Sequence, residues 1–198
     1  MYSKLPNLII AFHGCDKSTY DRVMIDEGFL QPSVEPFDWL GNGIYFWENN
    51  SVRALEWAKK HRKVKNPAVI GAVIDPLYCL NFSDMSAVPL LKLGFELLQK
   101  DHIEANKEMP INKSRDDRDN DLVMRDLDCA VIERMHKHIK DKNMRPFDSV
   151  RGVYVEGDPI FEGGRIMDKT HVQICIRNIN CIKGYFRPLQ ELDEPFIV

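Results

Sequence analysis

The sequence predicts an α+β fold with a mainly antiparallel sheet, and the order of its patterns is the main reason. Strand patterns lie towards both ends of the chain, whereas the segment from about residue 84 to 142 has helical patterns. Regular alternation of strands and helices, which would indicate a doubly wound parallel sheet, is missing from the sequence. The length of 198 residues favours a single domain, residues 1–198, with the helical segment as an insertion.

Apolar runs and capping residues predict the first elements. The run from Leu8 to Phe12 is apolar throughout, which is typical of a buried strand, and His13 stands at its end. A helix is expected from Ser18 to Glu27, because serine is a favourable N-cap and Gly28 is a suitable stop. Proline and glycine punctuate residues 29–42, which we expect to form an extended loop.

A short strand, a helix and a longer strand are expected next. The short strand covers Gly43 to Trp47, and the helix opens at Asn50 and ends in the basic run Lys59 to Lys65. Residues 68–74 are apolar and largely β-branched, and they predict the clearest strand of the chain. The helix is expected to bury a face formed by Val52, Leu55 and Ala58.

The central and last segments complete the layout. Residues 90–98 predict an amphipathic helix, and residues 106–121 are polar enough to predict a mobile loop. Strands are expected at residues 150–156, 171–176 and 181–186. Apolar residues at every fourth position predict a second helix and are expected in the core: Val123, Leu127, Val131, Met135 and Ile139.

Composition narrows the class of protein. The net charge of −3 and a pI near 6.1 argue against a protein that coats nucleic acid. The five cysteines form no C-x-x-C pair or Cys/His cluster, which favours a reducing cytoplasm and no structural zinc. No apolar run approaches the roughly 18 residues that a membrane span requires. We therefore expect a soluble, cytoplasmic protein that does not enter a membrane.

Two short motifs carry the functional prediction. The first is Phe12-His13-Gly14-Cys15, at the end of the first strand, and the second is Gly41-Asn42-Gly43-Ile44-Tyr45-Phe46. The second motif does not fit a Rossmann fold, because the third glycine is missing and the motif leads into a strand instead of a helix. In this order, the pair resembles the first two motifs of the diphtheria-toxin and poly(ADP-ribose) polymerase branch of the ADP-ribosyltransferases.

This resemblance implies an ADP-ribosyltransferase-like split antiparallel sheet with an inserted helical segment, and NAD as the substrate. The motif histidine of the family binds the nicotinamide ribose, which implies that role for His13. The backbone of the next glycine pairs with the nicotinamide amide, a role implied here for Gly14, since a missing side chain allows close approach. Cys15 stands where the family has serine or threonine and would border the same ligand without the hydroxyl.

The second motif implies the nicotinamide pocket itself. Tyr45 matches the tyrosine that stacks on the nicotinamide ring, and Gly43 belongs to the same NAD-binding segment. The family usually places a second aromatic residue on the following helix, and Trp57 stands in about that place. An aromatic sandwich of this kind holds a flat ring by about 0.5–1.5 kcal/mol for each face.

A third motif residue is expected on a late strand, where the family usually has glutamate. Gln173 falls at this place. A glutamine accepts a hydrogen bond but supplies neither a negative charge nor a general base, so the resemblance implies single transfer and no elongation to a polymer. Glu156 and Glu162 lie just upstream and are candidates to supply a carboxylate from a loop.

The expected function is therefore that of an NAD-dependent mono-ADP-ribosyltransferase that uses no metal. The acceptor stays open between protein and nucleic acid, and the basic run Lys59–Lys65 is either an acceptor site or a solvated helix end. Compact relatives of this kind often act as toxins or defence effectors, which would imply an inhibitory partner. The alternatives are a catalytically inactive module that binds NAD or ADP-ribose, an NAD glycohydrolase, and, ranked last, an RNA 2′-phosphotransferase.

Overall fold

The structure is a computed structural model that describes residues 8–114 and 121–189. In these residues the chain forms nine strands and four α-helices, with 3₁₀ turns at Met85–Ala87 and Ile179–Cys181. In chain order, the elements are β1 (Ile9–Asp16), α1 (Lys17–Met24), β2 (Ile44–Glu48), α2 (Ser51–Lys60), β3 (Pro67–Ile74), β4 (Cys79–Asn81), α3 (Val88–Glu104), β5 (Asn112–Lys113), β6 (Met124–Arg125), α4 (Asp126–Asp141), β7 (Ser149–Tyr154), β8 (His171–Ile176) and β9 (Ile182–Phe186).

The central feature is a seven-stranded sheet in the order β4-β7-β8-β2-β1-β3-β9. All neighbours pair antiparallel except β4 and β7, which are parallel. The prediction of an α+β fold with a mainly antiparallel sheet is confirmed. The helices α3 and α4 lie between β4 and β7 in the chain, together with the small β5–β6 ribbon.

The sheet opens between β1 and β2. These strands pair at Ala11 with Glu48 and at Phe12 with Trp47, whereas β1 and β3 pair along the whole of β1. Beyond Phe12 the two strands therefore lack a continuous ladder. We call the space between residues 13–15 of β1 and residues 44–46 of β2 the β1–β2 gap.

Buried side chains form one core cluster on each face of the sheet, because successive residues of a strand point to opposite faces. The first cluster lies under α1 and includes Phe46, Ile70 and Ile174. The second includes Met135 and Ile139 of α4 packed against the strands. The helix α2 covers the second face of β1, since a Cβ on Gly14 would lie 2.1 Å from the carbonyl oxygen of Ala54.

The prediction for the buried face of α2 is wrong at one position. Val52 is 64% exposed, whereas Ala54 and Ala58 are fully buried. The close approach of α2 to Gly14 explains the difference, because only small side chains fit where a helix backbone touches a strand. Ala58 confirms part of the prediction, and Leu55 is half-buried.

The predicted stripe of α4 is correct at its C-terminal end. Met135 and Ile139 are buried, but Leu127 and Val131 are half-buried and Val123 precedes the helix. A spacing of four drifts by about 40° per step around a helix of 3.6 residues per turn, so the stripe rotates away from the core. The buried face is completed instead by Cys129, Ile132 and His136.

The predicted mobile loop at residues 106–121 is partly strand. Asn112 and Lys113 form β5 and pair with Met124 and Arg125 of β6, so this part of the prediction is wrong. Residues 115–120 of the predicted loop lie outside the described residues. In the described ranges, no helix combines the length and the apolar character that crossing a membrane requires.

Candidate functional site

The imidazole of His13 bridges the β1–β2 gap. Its Nδ1 donates a hydrogen bond to the carbonyl oxygen of Tyr45 at 2.7 Å, since a carbonyl accepts and the proton must be on the ring. Burial lowers the pKa of His13, although the hydrogen bond to Tyr45 opposes this effect. The ring is therefore neutral near pH 7, with Nδ1 as the donor and Nε2 as an acceptor.

The backbone of Gly14 points into the same gap. The N–H of Asn49 donates to the carbonyl of Ile10 at 2.9 Å, which shows that the polar groups of Ile10 face β2. In an antiparallel sheet, every second residue of a strand directs its N–H and C=O to the same neighbour. Gly14 stands four residues after Ile10, so its N–H and C=O also face β2. Because β2 no longer pairs with β1 at this level, Gly14 presents one donor and one acceptor to the gap.

Tyr45 is held by its hydroxyl group at the other side of the gap. The hydroxyl accepts a hydrogen bond from the N–H of Leu40 at 2.9 Å and donates one to the carbonyl of Gly41 at 2.8 Å. Burial raises the pKa of Tyr45 well above its usual range, so the phenol is neutral. The ring packs against the second core cluster and has a fixed orientation.

The two glycines of the second motif are required by the backbone. Gly41 has φ of +79°, a conformation that favours glycine. A Cβ on Gly43 would lie 2.5 Å from Cys175 Sγ and 2.6 Å from the carbonyl oxygen of Ile176. Gly43 therefore lets β2 start close against β8. This close start positions Tyr45, and through Tyr45 it bears on the predicted NAD site.

An ion pair between α4 and the residue that follows β8 clamps the Gly41–Gly43 loop. Glu133 of α4 accepts from the Asn42 N–H at 2.8 Å and contacts the Arg177 guanidinium at 2.5 Å. Arg177 also donates to the Asn42 carbonyl at 2.9 Å. Burial alone would raise the pKa of Glu133, but Arg177 and the Asn42 N–H outweigh it and the pKa is lowered. Neither residue belongs to a motif in the sequence.

Gln173 lies on β8 beside β2, on the same face as Tyr45. It pairs in register with Trp47 of β2 and Gly152 of β7, and it is 9% exposed. Its Oε1 accepts a hydrogen bond from Trp39 Nε1 at 2.6 Å. The structure thus brings His13, Gly14, Tyr45 and Gln173 onto three adjacent strands at the point where the sheet opens.

Trp57 stands on α2, in an aromatic group that also contains His61 and Trp47. Its ring stacks on His61 with centroids 4.6 Å apart and contacts Trp47 at 5.6 Å. Among the ring contacts of the described residues, none joins Trp57 to Tyr45. The predicted nicotinamide sandwich between Tyr45 and Trp57 stays a prediction. Trp47, which is not among the site residues predicted from the sequence, is 3% exposed and belongs to this aromatic group.

Cys15 is buried and points to the first face of the sheet. It is 5% exposed, and burial, together with the nearby Asp16 carboxylate, raises its thiol pKa to about 11. The thiol is therefore protonated near pH 7 and is a weak hydrogen-bond donor. It does not replace the hydroxyl that the resemblance implies at this position.

The two upstream carboxylates have different surroundings. Glu156 pairs with Arg53 of α2 at 2.5 Å and is mostly buried, so it ties α2 to the loop that follows β7. Arg53 also pairs with Glu56 at 3.2 Å. Glu162 is exposed in that loop. In the described residues, no group of histidine, cysteine and acidic side chains has the arrangement of a metal site.

Comparison with known proteins adds one relative. The chain is 26% identical to an uncharacterized protein of Methanocaldococcus jannaschii over 194 residues, which covers 87% of this chain and 83% of that protein. No family model matches the chain, and no solved structure does. The similarity extends over most of both chains, but the name of the relative assigns no activity. The function must therefore be argued from the site.

Proposed function

We propose that this protein is an NAD-dependent mono-ADP-ribosyltransferase that binds the nicotinamide end of NAD in the β1–β2 gap. The observation that supports the proposal most is the pair formed across the gap by His13 and Tyr45, with the backbone of Gly14 directed into it. The loss of pairing between β1 and β2 beyond Phe12 supports the proposal, because the motif resemblance implies a split sheet. The sequence motifs and the geometry therefore point to the same part of the molecule.

The polar groups of the gap match those of nicotinamide riboside. A carboxamide has one acceptor and one donor group, and Gly14 offers a backbone N–H and C=O in one direction. The neutral His13 ring offers Nε2 as an acceptor for a ribose hydroxyl. The Tyr45 ring, fixed through Leu40 and Gly41, offers a flat apolar surface for the pyridinium ring.

The reaction would then depend on positioning and on charge. The bond between the nicotinamide nitrogen and the ribose carbon breaks, and nicotinamide leaves as a neutral molecule with the bonding electron pair. An acceptor atom attacks the ribose carbon from the opposite face, and its proton passes to solvent. Because Gln173 has no charge, it does not supply the negative charge that would stabilise the positive ribose carbon, which favours a single slow transfer.

A catalytically inactive binding module is the second candidate, and the contacts of Gln173 and Glu156 favour it. Gln173 Oε1 is engaged by Trp39, and Glu156 is engaged by Arg53. A site of this kind binds NAD without cleaving it. An NAD glycohydrolase would share every feature of the main proposal and differ in using water as the acceptor.

Release of nicotinamide from NAD by the purified protein separates these functions. The proposal expects release that is lost in Tyr45→Ala and increases when a cell lysate supplies a macromolecular acceptor. Tyr78→Ala is a matched control, because Tyr78 stacks on Phe147 in the second core cluster and not at the gap. Binding of NAD without release would identify a binding module, and the absence of both binding and release would contradict the proposal.

A further inference from the structure

Trp39 connects the loop before β2 to the residue in the third motif position. Its indole Nε1 donates to Gln173 Oε1 at 2.6 Å, although 134 positions separate the two residues in the chain. Trp39 belongs to neither of the two sequence motifs. The contact is therefore a tertiary feature of this fold.

The indole ring is fixed on several sides. Gly152, the register neighbour of Gln173 on β7, has no side chain, and a Cβ there would lie 2.6 Å from Trp39 Cη2. The ring also makes edge contacts with Tyr154 and Phe82, with centroids 5.0 and 6.2 Å apart. Packing thus sets the direction of the indole N–H before any ligand arrives.

The chemistry of the indole then sets the orientation of the Gln173 amide. An indole nitrogen is a donor and never an acceptor, so it must meet the amide oxygen and not the amide nitrogen. The Nε2 group of Gln173 is left on the other side with two hydrogens to donate. Among the hydrogen bonds of the described residues, none engages this nitrogen.

We propose that Trp39 is a positioning residue that makes Gln173 a hydrogen-bond donor towards the ligand. The inference rests on the proposed NAD site and specifies it further: Gln173 would donate to an oxygen of the nicotinamide ribose. A carboxylate in this place would instead accept the proton of a ribose hydroxyl. Gln173 would thus be the donor in this contact, where a carboxylate would be the acceptor. Removal of the indole N–H lets the Gln173 amide rotate so that its oxygen and nitrogen exchange places.

The contact itself is tested by NMR without any ligand. The chain has three tryptophans and therefore three indole N–H signals. Trp39→Phe removes one of them and identifies it, and Gln173→Leu should then shift this signal upfield and speed its exchange with solvent. The Trp57 signal serves as the reference. A Trp39 signal that Gln173→Leu leaves unchanged would overturn the proposal.

The effect on binding is tested by a double-mutant cycle. Calorimetry should show that Trp39→Phe and Gln173→Leu each weaken NAD binding about threefold to tenfold, and that the double variant binds no more weakly than Gln173→Leu alone. Phe82→Leu is the matched control, because it loosens the packing of Trp39 but keeps the indole N–H. Thermal unfolding of each variant verifies that it folds.

The outcomes separate this inference from the proposed function. Independent, additive effects of Trp39→Phe and Gln173→Leu, or an effect of Phe82→Leu as large as that of Trp39→Phe, would overturn the positioning role. Tight NAD binding that is unchanged in Trp39→Phe and in Gln173→Leu would overturn it as well, but would leave the proposed NAD site supported. A wild-type protein that binds no NAD would overturn both proposals.

Discussion

His13 Nδ1 and the carbonyl oxygen of Tyr45 lie 2.7 Å apart where β1 and β2 no longer pair. A side chain here replaces a hydrogen bond that a regular antiparallel ladder would supply from the backbone. The sheet can therefore open at this point without leaving the Tyr45 carbonyl unpaired, which would be costly in a buried position. The same ring retains Nε2 as an acceptor, so one residue serves both the fold and the candidate site.

The two roles of His13 are separable by substitution. His13→Ala loses the bridge and Nε2 and leaves the Tyr45 carbonyl without its partner, so we expect the free energy of unfolding in urea to fall by about 1–3 kcal/mol. His13→Asn keeps an N–H close to the place of Nδ1 and should retain most of this stability. Both variants should weaken NAD binding in calorimetry. Equal stabilities of the two variants would contradict the bridging role.

The buried imidazole of His136 should make stability depend on pH. Burial and the nearby Arg177 lower its pKa from 6.5 to about 4 in the folded protein, with Glu133 opposing. Above pH 6.5 both states are neutral, and the contribution of His136 is complete. As the pH falls from 6.5 to about 4, the unfolded state binds a proton that the folded state does not. The free energy of unfolding therefore falls, by up to about 3 kcal/mol.

His136→Leu isolates this effect. The unfolding free energy of the wild type minus that of the variant should decrease by that amount between pH 7.5 and pH 4. This range covers both the ordinary and the lowered pKa of His136. The difference removes the contribution of Asp38, whose pKa burial raises to about 6 and which acts in the opposite sense. A difference that does not change with pH would show that His136 does not titrate in this way.

The Glu133–Arg177 clamp should stabilise the loop that leads to Tyr45. Glu133→Ala leaves Arg177 and the Asn42 N–H without their acceptor, and we expect a loss of about 1–3 kcal/mol in urea unfolding. Glu133→Gln keeps an acceptor of similar shape and should lose less. NAD binding should weaken in the same order, because Tyr45 follows the loop. Unchanged stability of Glu133→Ala would contradict this account.

Gln173→Glu should increase the rate of nicotinamide release. A carboxylate at this position stabilises the positive ribose carbon, and we expect at least about a tenfold increase, measured by chromatography of NAD and nicotinamide. Glu156→Gln is the comparison, since Glu156 is engaged by Arg53 and its loss should leave the rate unchanged. A lower rate in Glu156→Gln, with none gained in Gln173→Glu, would assign the catalytic charge to Glu156.

Local patterns predicted most of the sheet. The strands β1 and β3 follow from apolar runs of neighbouring residues, which a sequence pattern can detect. The start of α2 follows from Asn50, whose side chain caps the helix. The motif residues His13, Tyr45 and Gln173 were selected from sequence, and the fold brings them to adjacent strands. Their joint role in binding NAD stays a proposal.

Long-range contacts could not be predicted. The Trp39–Gln173 hydrogen bond and the Arg177–Glu133 ion pair join residues 134 and 44 positions apart, and neither has a sequence pattern. The exposure of Val52 likewise depends on how closely α2 approaches Gly14, which is a property of packing and not of helical periodicity.

Direct observation of the Gly14 amide tests the central claim most sharply. His13-Gly14 is the one His-Gly pair in the sequence, so carbonyl-¹³C histidine combined with ¹⁵N glycine selects a single amide signal. The account predicts that NAD, and nicotinamide more weakly, shift this signal in a saturable way, while the ¹⁵N-glycine signal of Gly94, which lies in α3 against α4, does not respond. A Gly14 signal that stays in place while NAD binds elsewhere, or does not bind, would contradict the account.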